Sequence, residues 1–312
     1  MLYSNFQRRL WAGQIVVTGE VAPPKGADRT HVEKLVKGLL GYVDAINFTD
    51  NQRGIARMSA LGAGLIAQQI GAEAIVQVTC QNRNRLALQG DILSGSALGI
   101  RNYLCMTGDH PNNGDHPQCK NVLDLNSFKL LQMMRTLRDQ QTFESGKELH
   151  TAPTFFVGGV ANPNIEKISR LEKKIAAGAE FIQTQIIYDV QRFAEWMREA
   201  RTLGLHRHAA ILAGVMIPRT ARTVHFLREN LPGMCVPDAI IERMERAADA
   251  EAEGISLAAE LVQQLLEIEG VAGVHLMSVG WTRSMAQVVE QAGLLPRPAV
   301  PDDEPQATAA LV

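Results

Sequence analysis

Residues 44–80, DAINFTDNQRGIARMSALGAGLIAQQIGAEAIVQVTC, hold the pattern that decides the fold. Two short β-branched runs, 44–50 (DAINFTD) and 74–80 (AIVQVTC), flank a helical stretch at 59–70. Two strands joined by a helix form a βαβ unit, the connection that parallel strands require. The unit repeats outward in both directions. Upstream lie a predicted strand at 14–22 (QIVVTGEVA) and a helix at 29–42, for which Asp28 is a suitable N-cap. Downstream come a helix at 83–98 and a strand at 103–107, closed by the loop Gly108-Asp109-His110-Pro111. The stretch 111–120 (PNNGDHPQCK) is rich in turn residues and reads as a loop. Further alternation follows: helix 126–140, strand 154–160, helix 165–177, strand 181–187, helix 190–203, strand 209–216 and helix 221–230. Residues 237–267 form a charged, Ala-rich helical region that Gly254 is expected to break in two. A strand at 274–279 and a helix at 284–291 complete eight alternations. The expectation is an α/β fold: a single-domain (β/α)8 TIM barrel over residues 1–296, with a disordered tail at 297–312 (RPAVPDDEPQATAALV). A doubly wound sheet is the rival, but its GxGxxG fingerprint after the first strand is absent.

Bulk properties narrow the function classes. With 31 basic against 33 acidic residues and a formal charge of −2, the chain lacks the basic excess of a nucleic-acid binder. No apolar run of about 18 residues suggests a membrane span. The opening MLYSNFQRRLWAGQIVV has an early Arg pair but no apolar core segment or cleavage site, so no secretory signal is expected. Cys80, Cys105, Cys119 and Cys235 form no CxxC pair. A disulfide framework is not expected, a cytoplasmic address fits, and no metal site is read from them.

A parallel barrel builds its chemistry at the carboxyl ends of its strands. The polar groups there are Glu20 on strand one; Thr49, Asp50 and Asn51 on strand two; Gln77 and Thr79 on strand three; and Thr107 and Asp109 on strand four. Asn162 follows strand five, Gln183, Gln185 and Asp189 come with strand six, and His275 and Ser278 with strand eight. Glu20 lies in the apolar stretch TGEVAPP, where a carboxylate is costly unless paired or protonated. It is therefore either a structural ion pair or a general acid. Asp109 serves equally well as a turn cap. His110 and His116 flank a loop without a third ligand, and no metal is assigned. Lys167, Arg170, Lys173 and Lys174 follow helical spacing, either as a solvated face or as partners of a phosphate-bearing cofactor.

Seven segments, GEVAPPKG, INFTDN, VQVTCQNRNR, CMTGDHP, FFVGGVANPN, KKIAAGAEFIQTQIIYD and GVHLMSVGW, occur in order at successive strand ends. Together they resemble the methylenetetrahydrofolate reductase family, from about Val16 to about Leu295. The resemblance implies a flavin at the carboxyl face, FAD in preference to FMN, and NAD(P)H or another electron donor. It implies that Glu20 is the catalytic acid, that Asp109 lies near the flavin and the folate ring, and that Gln185 holds substrate. It places Thr49, Gln77, Thr107, Gly108, Asp109, Asp124, Asn162, Arg170, Lys173 and Lys174 at or beside flavin-contacting positions. Gln77 and Asn162 stand where the best-known bacterial members have histidines. Ala221 replaces a stacking Phe, and Ser278-Val279-Gly280-Trp281 replaces an Asn-Arg ending. This pattern is closer to versions from anaerobes, some of which work with a zinc-containing partner protein or an electron-transfer complex. The resemblance thus implies a small-molecule folate substrate, a possible partner subunit and an oligomer. Two alternatives stay open: a reductase of another pterin, including one served by a deazaflavin donor, and a non-redox pterin-binding or assembly subunit of a methyl-transfer complex.

Overall fold

A computed structural model describes residues 3–301. Its strands are β1 (Val16–Val21), β2 (Ala45–Phe48), β3 (Ala74–Thr79), β4 (Asn102–Met106), β5 (Phe156–Ala161), β6 (Phe181–Ile186), β7 (Ala210–Met216) and β8 (Val271–Met277). They pair in sequence order and close into a parallel barrel when β8 meets β1. The helices outside are α2 (Arg29–Lys37), α3 (Ala60–Gln69), α4 (Arg85–Ala97), α5 (Ser127–Arg135), α6 (Ile168–Ala177), α7 (Val190–Thr202), α8 (Ala221–Asn230), α9 (Asp238–Arg246), α10 (Ala250–Leu266) and α11 (Arg283–Gln291). This is the expected (β/α)8 architecture. As anticipated, Asp28 caps α2, its carboxylate accepting from the His31 N–H at 2.9 Å.

The sequence reading passed over α1 (Asn5–Trp11), which precedes the barrel. Ser4 caps it, and Phe6 and Leu10, four residues apart, present one apolar face. Both side chains are fully buried with Val16, Ile75, Phe156, Phe181 and Leu212, sealing the amino-terminal end of the barrel. Phe6 meets Phe181 edge-on at 5.1 Å, and Phe181 stacks on Phe156 at 5.0 Å. Gly158 makes this possible, because a Cβ there would overlap the Phe181 ring.

Gly254 does not break the region 237–267. It lies inside α10, and the chain breaks earlier, at residues 247–249. A Cβ at position 254 would collide with Pro218 O, so the glycine lets the helix approach the backbone after β7. The actual stop has its own signal: Asp249 caps α10, accepting from the Glu251 and Ala252 N–H groups, each at 3.1 Å. The first residue of the expected tail is tied down. The Arg297 guanidinium donates to Ile15 O at 2.6 Å and to the buried Asp44 carboxylate at 2.7 Å. Residues 302–312 of that tail lie outside the described residues.

Candidate active site

Above the aromatic plug the barrel interior turns polar. Thr18, Asn47, Gln183 and His275 are all buried there, with Thr18 and His275 paired in the β1–β8 register. Buried polar groups need partners, and these supply one another. Asn47 donates to Gln183 Oε1 at 2.5 Å, Gln183 donates to Thr18 Oγ1 at 3.3 Å, and Thr18 Oγ1 lies 2.9 Å from His275 Nδ1.

Glu20 stands one strand-repeat above Thr18, opposite Asn47 in the β1–β2 register. Its carboxylate is mostly buried, with 16% side-chain exposure, and among the described residues it has no Lys or Arg partner. Gln52 donates to Oε1 at 3.3 Å, Gln77 donates to Oε2 at 3.4 Å, and His275 Nε2 lies 3.7 Å from Oε2. The structural ion pair weighed from the sequence is therefore not formed with a permanent cation. Gln77 is itself oriented: its Oε1 accepts from the Asp50 N–H at 3.3 Å. Asp50 in turn is pinned by the Thr79 hydroxyl at 2.8 Å and by Arg83.

Gln52 comes from a turn at Gln52–Gly54, in the stretch between the strand predicted at 44–50 and the helix predicted at 59–70. Asn51 and Arg53 in this segment have φ of 49° and 61°, a costly backbone for residues with side chains. Asp109 holds it, accepting from the Arg53 N–H at 2.6 Å. One strained turn thus links both expected catalytic carboxylates: Asp109 grips its backbone, and Gln52 reaches Glu20. The β4 loop is latched here again, because Asp115 accepts from the Ala56 N–H at 3.3 Å and pairs with Lys25 and His116. The His116 hydrogen bond, with help from Ala56 and Lys25, lowers the Asp115 pKa to about 2.

Gly108, with φ of +94°, turns the chain out of β4. A Cβ there would lie 2.9 Å from the Cβ atoms of Thr79 and Gln81, so only glycine suits both the dihedral and the space. Thr107 and Asp109 are exposed on either side of it. Thr49 ends β2 with its Oγ1 buried and without a hydrogen-bond partner among the described residues. In β6 a register shift between Gln183 and Ile186 marks a bulge that displaces Gln185 from simple alternation. Thr184 secures the bulge, accepting from the Gly214 N–H at 2.8 Å.

A family model described as methylenetetrahydrofolate reductase matches residues 5–293. The chain belongs to the methylenetetrahydrofolate reductase family. Among curated relatives, methylenetetrahydrofolate reductase 2 of Schizosaccharomyces pombe is 24% identical over 257 residues, 77% of this chain and 39% of that protein. Methylenetetrahydrofolate reductase (NADH) 1 of Arabidopsis thaliana is 26% identical over 304 residues, 91% of this chain and 49% of that protein. The chain thus spans less than half the length of these relatives. Among solved structures, a Clostridium thermocellum protein described as binding two copies of 5-methyl-5,6,7,8-tetrahydrofolic acid superposes with a TM-score of 0.63. It is 15% identical, with 93% of this chain and all of that chain covered. At that identity the likeness is one of fold.

Against the positions expected from this family, the site divides into two groups. Glu20 and Gln77 touch, Asp109 joins them through the turn at residues 52–54, and Thr49 and Gly108 follow β2 and β4, the strands on either side of β3. Of the remaining positions, Asp124, Asn162, Arg170 and Lys174 already have protein partners. Asp124 is gripped by Arg85 through its backbone N–H at 3.0 Å and through the guanidinium at 2.8 Å, which pushes the Asp124 pKa down. Arg170 pairs with Glu166 at 2.9 Å and stacks over Phe128. Lys174 is turned inward, its Nζ donating to Val160 O at 2.5 Å and to Glu166 Oε2 at 3.0 Å. Burial lowers its pKa against the opposing pull of Glu166. Asn162 accepts from the Asn164 N–H at 3.1 Å, while Lys173 is exposed. No group of three or more potential metal ligands occurs among the described residues, and no described helix is long and apolar enough to cross a membrane.

Proposed function

We propose that this barrel reduces the one-carbon unit of 5,10-methylenetetrahydrofolate to the methyl group of 5-methyltetrahydrofolate, with a flavin at its mouth and Glu20 as proton donor. The observation that carries the reading is the Glu20 carboxyl, mostly buried and contacted by two amides and an imidazole, with no Lys or Arg partner among the described residues. A mostly buried carboxyl facing the barrel mouth, with amide and imidazole neighbours rather than a fixed cation, is placed to hand a proton to a bound substrate. The mouth also suits a flavin. Among the described residues Thr49 Oγ1 and Ser278 Oγ are buried without hydrogen-bond partners, as groups that await a bound ligand would be. When bound, a flavin supplies the hydride. Family membership over residues 5–293 supports this cofactor, with FAD proposed over FMN.

The chain's own part is proton delivery and positioning. Glu20 gives its proton to the folate nitrogen as the five-membered ring opens, leaving an iminium carbon ready to accept hydride. Asp109, anchored on the Arg53 N–H and exposed at the mouth, offers its carboxyl group to the developing cation. Gln185, on the β6 bulge, offers an amide to the pterin edge. NAD(P)H or a partner protein donates the electrons.

Glu20→Gln tests the reading. The variant is expected to bind flavin, seen in the visible spectrum, and to accept electrons into it at the normal rate. Folate turnover is expected to fall by about 10²–10⁴-fold, the typical contribution of a placed acid. Full folate turnover by the variant would remove Glu20 from the chemistry, and a protein that never binds flavin would remove the cofactor.

A further inference from the structure

We infer that His275 is the positioning residue for Glu20: a neutral imidazole whose Nε2–H is aimed at the carboxyl, held in that tautomer by the buried chain Asn47–Gln183–Thr18. The inference rests on the reading of Glu20 as the acid.

The argument follows the protons. Asn47 has only its amide N–H to offer Gln183 Oε1, which lies 2.5 Å away. That contact fixes the orientation of the Gln183 amide and points its Nε2 donor at Thr18 Oγ1, 3.3 Å away. Thr18 is then an acceptor on that side, and its own proton is free to donate. It has two places to go: Val274 O at 3.5 Å, or His275 Nδ1 at 2.9 Å. The shorter contact makes Nδ1 an acceptor, so the proton of the neutral ring sits on Nε2. Nε2 faces Glu20 Oε2 at 3.7 Å, and the His275 side chain is only 4% exposed, so water does not compete for that N–H.

A gap of 3.7 Å is too long for a hydrogen bond to the resting acid. Once Glu20 has given its proton away it is an anion, and an N–H···O⁻ contact is shorter and about twice as strong as a neutral one. The interaction therefore strengthens as the proton leaves, the condition under which a contact speeds a step rather than merely tightening binding. Charge around the pair is arranged to leave this role to His275. The neighbours on β3 and in the 52–54 turn, Gln77 and Gln52, are neutral. Asp50 lies behind Gln77 and is already neutralised by Arg83, and Asp109 is bound to the Arg53 N–H.

The flavin-loaded enzyme tests this with two variants and two readouts. His275→Leu removes the donor. The folate half-reaction is expected to slow at least tenfold, and its high-pH limb to move to higher pH, because the Glu20 anion loses its stabilising N–H. The flavin-reduction half-reaction serves as the internal control and is expected to hold its rate. His275→Gln keeps an amide N–H near the Nε2 position and is expected to restore the limb and most of the rate, which a residue that only fills space would not require. Independently of turnover, ¹⁵N-histidine NMR is expected to show His275 as the Nε2–H tautomer, with an Nε2 signal that follows a carboxyl titration abolished in Glu20→Gln. A Nδ1–H tautomer, or an unmoved limb and rate in His275→Leu while Glu20→Gln is inactive, would overturn the role of His275 alone. An active Glu20→Gln would instead overturn the reading of Glu20 beneath it.

Discussion

Lys174→Met separates a strut from a ligand. Family likeness puts Lys174 among the flavin-contacting positions, yet its ammonium is spent inside the protein on Glu166 and Val160 O. Side-chain exposure is 4% for Lys174 and 19% for Glu166, so the pair is largely out of water. Removing one partner of such a pair typically costs about 3–5 kcal/mol, because the other charge is left buried. Glu166 keeps Arg170 at 2.9 Å and the Asn162 N–H at 3.1 Å, which offsets part of that loss. Methionine refills most of the space once held by the lysine stem. The expected destabilisation is about 2–3 kcal/mol in urea unfolding of the flavin-free protein, with a fall in Tm of roughly 3–5 °C. Lys173→Met is the control: the residue is exposed, and the change is expected to stay within about 0.5 kcal/mol. Flavin affinity, by fluorescence titration, is expected to drop no more for Lys174→Met than the stability loss accounts for. A Lys174→Met protein of wild-type stability with tenfold weaker flavin binding would refute the reasoning and make the ammonium a ligand.

Other perturbations follow from the same geometry. Gly108→Ala forces a methyl against Thr79 and Gln81 at a φ of +94°, and is expected to cost about 1–3 kcal/mol and to weaken flavin uptake in absorbance titration; full uptake at wild-type stability would count against the close approach. Asp115 has a depressed pKa in the folded protein, so its contribution is present above its ordinary value of 3.8 and lost as pH falls through about 2. Amide exchange in the loop around residues 110–116 is expected to accelerate across that window, and Asp115→Asn to remove the pH dependence. Arg297→Ala strips the buried Asp44 of its 2.7 Å partner while leaving Arg9 at 3.5 Å, with an expected loss of about 2–3 kcal/mol by thermal unfolding and no change in folate kinetics, since the pair sits at the far end of the barrel.

The strands were legible because both their faces are buried. Runs such as AIVQVTC at 74–80 and AILAGVM at 210–216 read as β-structure whatever surrounds them. Closure was legible from eightfold alternation, and Glu20 from the cost of a carboxylate in an apolar strand. What sequence could not give was set by tertiary approach. Gly254 looks like a helix breaker until Pro218 O lies against it. The plug α1 carries only Phe6 and Leu10 as signal, and their meaning depends on a barrel end that does not exist locally. Arg170 and Lys174 lie four and eight residues after Glu166, a spacing visible in the sequence, but nothing there says that the second ammonium is buried while Lys173 beside it is exposed. Gln52 carried no signal at all, since its reach to Glu20 comes from a positive-φ turn held by a residue 56 positions away.

The polar layer bears on why the acid sits where it does. Four buried polar side chains occupy a level of the barrel that aliphatic residues could fill more stably, as they do one level below. Even with the Asn47–Gln183–Thr18–His275 chain complete, Asn47 Oδ1 and Thr49 Oγ1 have no hydrogen-bond partner among the described residues. An unsatisfied buried polar atom typically costs about 1–3 kcal/mol. Stability alone does not account for that arrangement. On the proposed reading of Glu20 as the proton donor the arrangement has a use, because directional hydrogen-bond donors are already in place for the carboxylate left after proton transfer. The apolar plug beneath then acts in the same sense, keeping water from the lower end of the network so that its hydrogen bonds retain their direction.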